Sequence, residues 1–156
     1  MLMIVNTIGY EGAEIVDFIS VLEHTGTEVL VDVRDVPSSR KRGFSKNALK
    51  SAVEQAGMSY VHLKVLGDPK PGREAARNGD FSRFREIFCE HISNDGARLA
   101  IRELVQRAKV EKICLMCFER DHKECHRNIL VEEMKKICNF EVHHLGVPKG
   151  FHCKAA

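Results

Sequence analysis

Apolar positions along this chain follow two alternating rhythms, and the change of rhythm marks the elements. The run from Leu2 to Ile8 is apolar on both faces of a pleat, as a buried parallel strand requires, and stops at Gly9. From Ala13 to His24 the residues Ile15, Val16, Phe18, Ile19 and Leu22 recur at helical spacing, with Gly26 as a C-terminal stop. EVLVDVR at 28–34 predicts a second strand, which Pro37 prevents from continuing. Ser45 caps a helix reaching about Gly57, and SYVHLKVL at 59–66 predicts a third strand. The segment GDPKPGREAARNGD, 67–80, has two prolines, three glycines and no clean period, so it is expected to be a long loop or flap. Helical patterns follow at 80–92 and 95–109, then a fourth strand in KICLMC. Asp121 and Glu124 form a D-x-x-E capping box that predicts a helix from His122 to about Cys138. EVHHLG, 141–146, is the last strand, and residues 149–156 are expected to form a loosely held tail.

This alternation predicts an α/β fold. We expect a single Rossmann-like three-layer domain over residues 1–148, with a mainly parallel five-stranded sheet in the order 3-2-1-4-5. Ligands in such sheets bind beyond the carboxyl ends of the strands, where the order reverses. Gly9, Tyr10 and Glu11, then Asp32, Arg34 and Asp35, then Cys117 and Glu119 all fall at those ends. Three segments remote in sequence are thereby expected to converge on one crevice.

Composition narrows the function classes. The 24 basic and 22 acidic residues leave a formal charge of +2, so bulk attraction to nucleic acid is not indicated and any basic patch must be local. No run is long and apolar enough to suggest a membrane span, and the N-terminus lacks the pattern of a secretory signal. Six cysteines without such a signal are expected as reduced thiols or ligands, which points to the cytoplasm.

The richest chemistry lies in ICLMCFERDHKECHRNIL, 113–130. Cys117, at a strand end before a helix N-terminus, occupies a position suited to a nucleophile, although a small buried hydrophobe is the simpler role of a free cysteine. On the expected helix, Cys125 shares a stripe with Met134 and Ile137 and is assigned to core packing, whereas His126 and Arg127 face away from it. Zinc is not expected, because Cys114 and Cys117 lie three apart on a strand and point to opposite faces. RDVPSSRKRGFSKNALK, 34–50, could grip phosphate through Arg34, Arg40, Lys46 and backbone NH groups. A Walker loop and a G-x-G-x-x-G are both absent, so neither a nucleoside triphosphatase nor a nicotinamide enzyme is indicated.

TIGYEG, LVDVRDVPSSR, FSKNALKSAVEQAGMSYVHLKVLGDP and LMCFERDHKECHR together resemble, in order and over nearly the whole chain, the domain-of-unknown-function 488 family. The resemblance implies a compact prokaryotic α/β domain without an established general activity, sometimes labelled as linked to DNA repair. Its pattern falls on Gly9, Tyr10, Asp32, Arg34, Ser38, Lys46, Leu66, Gly67, Cys117, Glu119, Cys125, His126 and Arg127. VDVR and the later cysteine are also similar to rhodanese-type domains, although here two acidic residues stand inside the cysteine loop.

The expectation is a crevice binding a phosphate-bearing ligand, a nucleotide or nucleic acid, in nucleotide processing or DNA repair. Cys117, Glu119 and Arg127 are the candidate catalytic residues. Gly9, Tyr10, Asp32, Arg34, Ser38, Lys46 and His126 are the candidate ligand contacts, with no cofactor and no metal. A non-catalytic binding module is one alternative. A sulfur carrier or redox-sensing thiol protein is the other.

Overall fold

In the computed structural model, residues 3–154 are described. They contain the strands β1 (Ile4–Gly9), β2 (Val29–Asp32), β3 (Ser59–His62), β4 (Ile113–Cys117) and β5 (Glu141–Leu145). The helices are α1 (Ile15–His24), α2 (Lys46–Gln55), α3 (Lys70–Arg77), α4 (Phe81–His91), α5 (Asp95–Ala108), α6 (His126–Lys135) and α7 (Phe151–Lys154). Leu2, where the first apolar run begins, lies outside the described residues.

The protein is a single α/β domain with one parallel five-stranded sheet, in the order β3-β2-β4-β1-β5. The expected neighbours β1 and β4 do pair, Gly9 standing opposite Cys117. The expected order 3-2-1-4-5 is corrected in one respect: β4 lies between β2 and β1. All five β4 residues are buried and apolar on both faces, which suits the centre of a sheet. Hydrophobic patterning defines a strand's faces and leaves its neighbours open, so β1 and β4 could exchange places without changing the pattern.

Two cores cover the sheet. Ile8, Leu30, Cys114 and Met116 pack against Phe18 and Leu22 of α1 and Leu49 and Val53 of α2. Val31, Leu115 and Cys117 pack with Phe84 and Phe88 of α4, Ile101 and Leu104 of α5, and Leu130 and Met134 of α6. Cys114 and Cys117 thus lie on opposite faces, as their strand spacing requires.

The third strand, expected over 59–66, ends at His62 and gives way to a 3-10 turn at Lys64–Leu66. Three further segments differ from expectation, and two of them shape the site. The stretch 67–80 holds an ordered helix, α3, where a loop or flap was expected. Pro69 caps it and Pro71 lies in its first turn, where a missing NH costs nothing. The second difference is at α6. Asp121 accepts from the Lys123 backbone NH, but it starts only a 3-10 turn at His122–Glu124. Cys125 then adopts extended φ/ψ of −124°/144° and caps α6, which ends at Lys135 before the expected Cys138. This break rotates the helix relative to the continuous one expected, and it turns His126 and Arg127 inward.

The third difference is the tail. Asp17 on α1 accepts backbone NH bonds from Gly150 and His152, each at 3.0 Å, and so anchors α7. The His152 backbone bond, with its ring, lowers the Asp17 carboxyl from 3.8 to about 2. A depressed carboxylate stabilises above its unfolded value and loses that contribution as pH falls through the folded one. The protection factors of the Gly150 and His152 amides, taken against the intrinsic exchange rate at each pH, should therefore fall as pH is lowered from about 4 to about 2. Unchanged protection would refute this anchoring role.

Candidate active site

A cleft of about 810 Å³ opens at the carboxyl ends of β1, β2 and β4. Tyr10 and Glu11 form one wall, Arg34 to Val36 with Ser38 to Arg40 a second, and Asp68, Arg73, Arg77 and Phe81 a third. Ala76, Cys117, Phe118, Glu119, Glu124 and His126 complete it.

At its base the structure joins Cys117 to Cys125 in a disulfide, with Cα atoms 7.4 Å apart. Two expectations change here: these cysteines are not separate reduced thiols, and Cys125 is a partner of Cys117 rather than core filling alone. The pairing follows from the break before α6, which aims the capping Cys125 side chain back toward β4. Cys117 faces the cleft, whereas Cys125 lies behind it.

Each sulfur has a polar neighbour. Arg127, 1% exposed, donates through Nη1 to Cys117 Sγ at 2.9 Å and to the Glu119 carbonyl at 2.5 Å. Its Nε donates to Thr7 Oγ1 at 3.2 Å, and Nη2 to the Arg120 carbonyl at 3.3 Å. Burial lowers the guanidinium to about 10, so it remains a cation at neutral pH. The loop after β4 is consequently tied to α6 through one side chain. Glu119 Oε2 lies 3.4 Å from Cys117 Sγ, and burial raises that carboxyl above its ordinary value.

His126 is buried, and burial lowers its imidazole to about 4, so the ring is neutral. Nε2 lies 2.6 Å from the Val33 carbonyl and must therefore carry the ring proton. That leaves the Nδ1 lone pair toward Cys125 Sγ, 3.7 Å away. Among the described residues, Cys117, Cys125 and His126 bring three ligand atoms within 4.8 Å. Bonded sulfurs are not thiolates and offer a metal little; the reduced pair with Nδ1 would supply three donors, one fewer than a closed zinc site needs.

Asp32 and Arg34 form the frame. The buried Asp32 carboxylate accepts from Arg34 Nε at 2.9 Å and Nη2 at 2.8 Å, and from the Tyr60 hydroxyl. Arg34 Nη1 donates to the Phe44 carbonyl at 2.7 Å and to the Tyr10 hydroxyl at 3.3 Å. Burial opposes the Arg34 charge, but Asp32 outweighs it and holds the guanidinium above its ordinary value. Tyr10 also stacks on Phe44, with ring centroids 4.6 Å apart. These contacts hold the loop after β2 against the end of β1.

The structure brings Tyr10, Arg34, Ser38, Cys117, Glu119 and His126 to the cleft surface. Arg127 lies beneath that surface, holding Cys117. Gly9, Asp32 and Lys46 do not line it. Gly9 faces the Glu119 carbonyl, Asp32 is enclosed by Arg34 and Tyr60, and Lys46 begins α2 with its NH on the Pro37 carbonyl. Sequence reasoning missed Asp68, Arg73 and Arg77, because it left α3 as a loop. Proline in the first turn of an otherwise helical segment was the available signal.

The chain belongs to the family described as domain of unknown function DUF488, whose model matches residues 14–134. That span takes in Asp32, Arg34, Asp68 and the segment from Cys117 to Arg127, and excludes β1 and β5. No curated protein and no solved structure matches the chain.

Proposed function

We propose that the cleft carries out thiol–disulfide exchange, with Cys117 as the attacking sulfur and Cys125 as the resolving one. The observation that carries this reading is the bonded pair itself, with Arg127 on the buried sulfur that lines the cleft and the free Nδ1 of His126 beside the other. In the reduced state Glu119 accepts the Cys117 thiol proton, and Arg127 stabilises the thiolate. The thiolate attacks a substrate disulfide, forming a mixed disulfide and releasing the first substrate sulfur as a thiolate, which then takes up a proton. Cys125 passes its proton to His126 Nδ1 and attacks Cys117 Sγ. The second substrate thiol leaves with that proton, and the Cys117–Cys125 disulfide remains. A dithiol reductant restores the starting state by the reverse exchange. Such a cycle suits the cytoplasm, where protein disulfides are mostly transient and catalytic. No helix among the described residues is long and apolar enough to cross a membrane.

The test uses reduced full-length protein and 2-hydroxyethyl disulfide. Cys125→Ser should accumulate a mixed disulfide on Cys117, seen by mass spectrometry, whereas the wild type proceeds to the internal disulfide. Cys117→Ser should react about a hundredfold more slowly. Equal, slow modification of Cys117 and the exposed Cys153 in folded protein would overturn the reading.

A second reading, a phosphate-bearing ligand such as a nucleotide or nucleic acid, is favoured by Arg40 and Arg77. Both line the cleft, and neither has a carboxylate within 4.0 Å among the described residues. Titration with nucleotides and short single- and double-stranded DNA at two salt concentrations tests it. Arg40→Ala and Arg77→Ala should each weaken binding about tenfold. Absence of binding throughout would remove this reading.

A further inference from the structure

Asp68 has no part in the exchange described above, yet its surroundings are unusual for a carboxyl. It lines the cleft while only 5% exposed, and its Oδ1 is buried without a hydrogen-bond partner. That oxygen lies against α3, where a Cβ added to Gly72 would be 2.0 Å from it. Arg73, the cation beside it, directs Nη1 to Asp35 Oδ2 at 2.8 Å and to the Asp68 backbone carbonyl at 2.7 Å. The carboxyl itself receives neither bond. An ionised carboxylate with one oxygen cut off from donors and water is costly, whereas a carboxylic acid tolerates the site and keeps a proton to give.

We propose that Asp68 is the general acid of the cleft, giving its proton to the sulfur that leaves when the Cys117 thiolate attacks a dialkyl disulfide. The proposal rests on the thiol-exchange reading. In the step, Cys117 Sγ bonds to one substrate sulfur and the substrate S–S bond breaks. Its electron pair stays on the departing sulfur, which takes the Asp68 proton. Asp68 is left as a carboxylate and regains a proton from water. Across the two exchanges, two electrons pass from the protein dithiol to the substrate, and no further oxidant is needed. In the disulfide state burial first, and then the charge of Glu119, raise the Asp68 carboxyl from 3.8 to about 7, and burial, the larger cause, persists in the reduced state, so a share of Asp68 carries its proton near neutrality. The substrate class follows from this chemistry. An alkyl thiolate is a basic leaving group and gains from protonation, whereas a nitroaromatic thiolate is stable without it.

The experiment compares single-turnover rates of reduced wild type and Asp68→Asn with 2-hydroxyethyl disulfide and with dithiobis(nitrobenzoate). General acid catalysis contributes roughly 10²–10⁴-fold, so Asp68→Asn should slow the alkyl disulfide about a hundredfold. The aromatic disulfide should change less than about twofold. In wild type the alkyl reaction should also fall off above about pH 7, a limb that Asp68→Asn lacks. Equal slowing of both disulfides, or no slowing of either, would overturn the proposal while leaving the exchange reading intact. Failure of wild-type Cys117 to outpace Cys153 with either probe would overturn both. Asparagine keeps the shape and removes the charge, so the variant should be at least as stable as wild type at pH 8. If it does not fold, the wild-type profile decides: without the limb above about pH 7 for the alkyl disulfide alone, the proposal fails.

Discussion

Asp32→Ala should destabilise the protein by about 3–5 kcal/mol, a large part of the total stability of a domain this size. Asp32 is fully buried and receives two guanidinium nitrogens of Arg34 and the Tyr60 hydroxyl. Its removal leaves a cation that is itself 5% exposed with one carbonyl and one phenol as partners. Breaking one side of a buried pair costs more than the pair contributes as a whole, because the remaining charge is stranded in low dielectric. Denaturant midpoints of the wild type, Asp32→Ala and the double variant Asp32→Ala/Arg34→Met check this. The double variant should recover part of the loss. A single-variant loss under about 1 kcal/mol would mean that the pair is not what holds the loop after β2.

Gly9→Ala should cost at least about 3 kcal/mol, the upper end of overpacking, and should disorganise the thiol pair. A Cβ on Gly9 would lie 1.8 Å from the Glu119 carbonyl oxygen and 2.6 Å from its carbon, both of them backbone. β1 is paired on both sides, by β4 and β5, and cannot yield. The loop after Cys117 must move instead, and with it the Glu119 and Arg120 carbonyls that hold Arg127. Faster amide exchange over residues 118–121, together with lower stability, is the expected signature. Wild-type exchange in that loop would show that the contact is relieved elsewhere. Gly9 therefore serves the site by letting a loop lie on a strand end, a role different from the ligand contact expected of it.

Much of the architecture could be read from the chain because burial writes its period into local sequence. The both-face apolar runs in β1, β2 and β4 and the helical stripe of α1 are patterns of neighbours in sequence, and each predicted its element. Polar residues directly after those strands predicted a crevice at their carboxyl ends, and Tyr10, Arg34, Cys117 and Glu119 do meet there. What the sequence alone determined is the fold class, the face on which each residue of a strand lies, and the edge of the sheet where polar chemistry collects.

The remainder depended on contacts between distant segments, or on one backbone break that no period records. The place of β4 between β2 and β1 is a choice of neighbours, and both strands are buried on both faces, although β1 carries the polar Asn6 and Thr7. The extended conformation of Cys125 interrupts what the capping box predicts as a continuous helix. That break turns Cys125 toward Cys117 and buries Arg127 under the loop. Arg34 reads as a free cation in the chain, but its charge is engaged by Asp32 two residues earlier and by the Phe44 carbonyl. Asp68 differs from any other carboxylate only because α3 closes over it at Gly72 and withholds a donor. Tertiary structure alone decided which polar groups are satisfied by one another and which remain available to a substrate, since satisfaction belongs to pairs of groups across the fold.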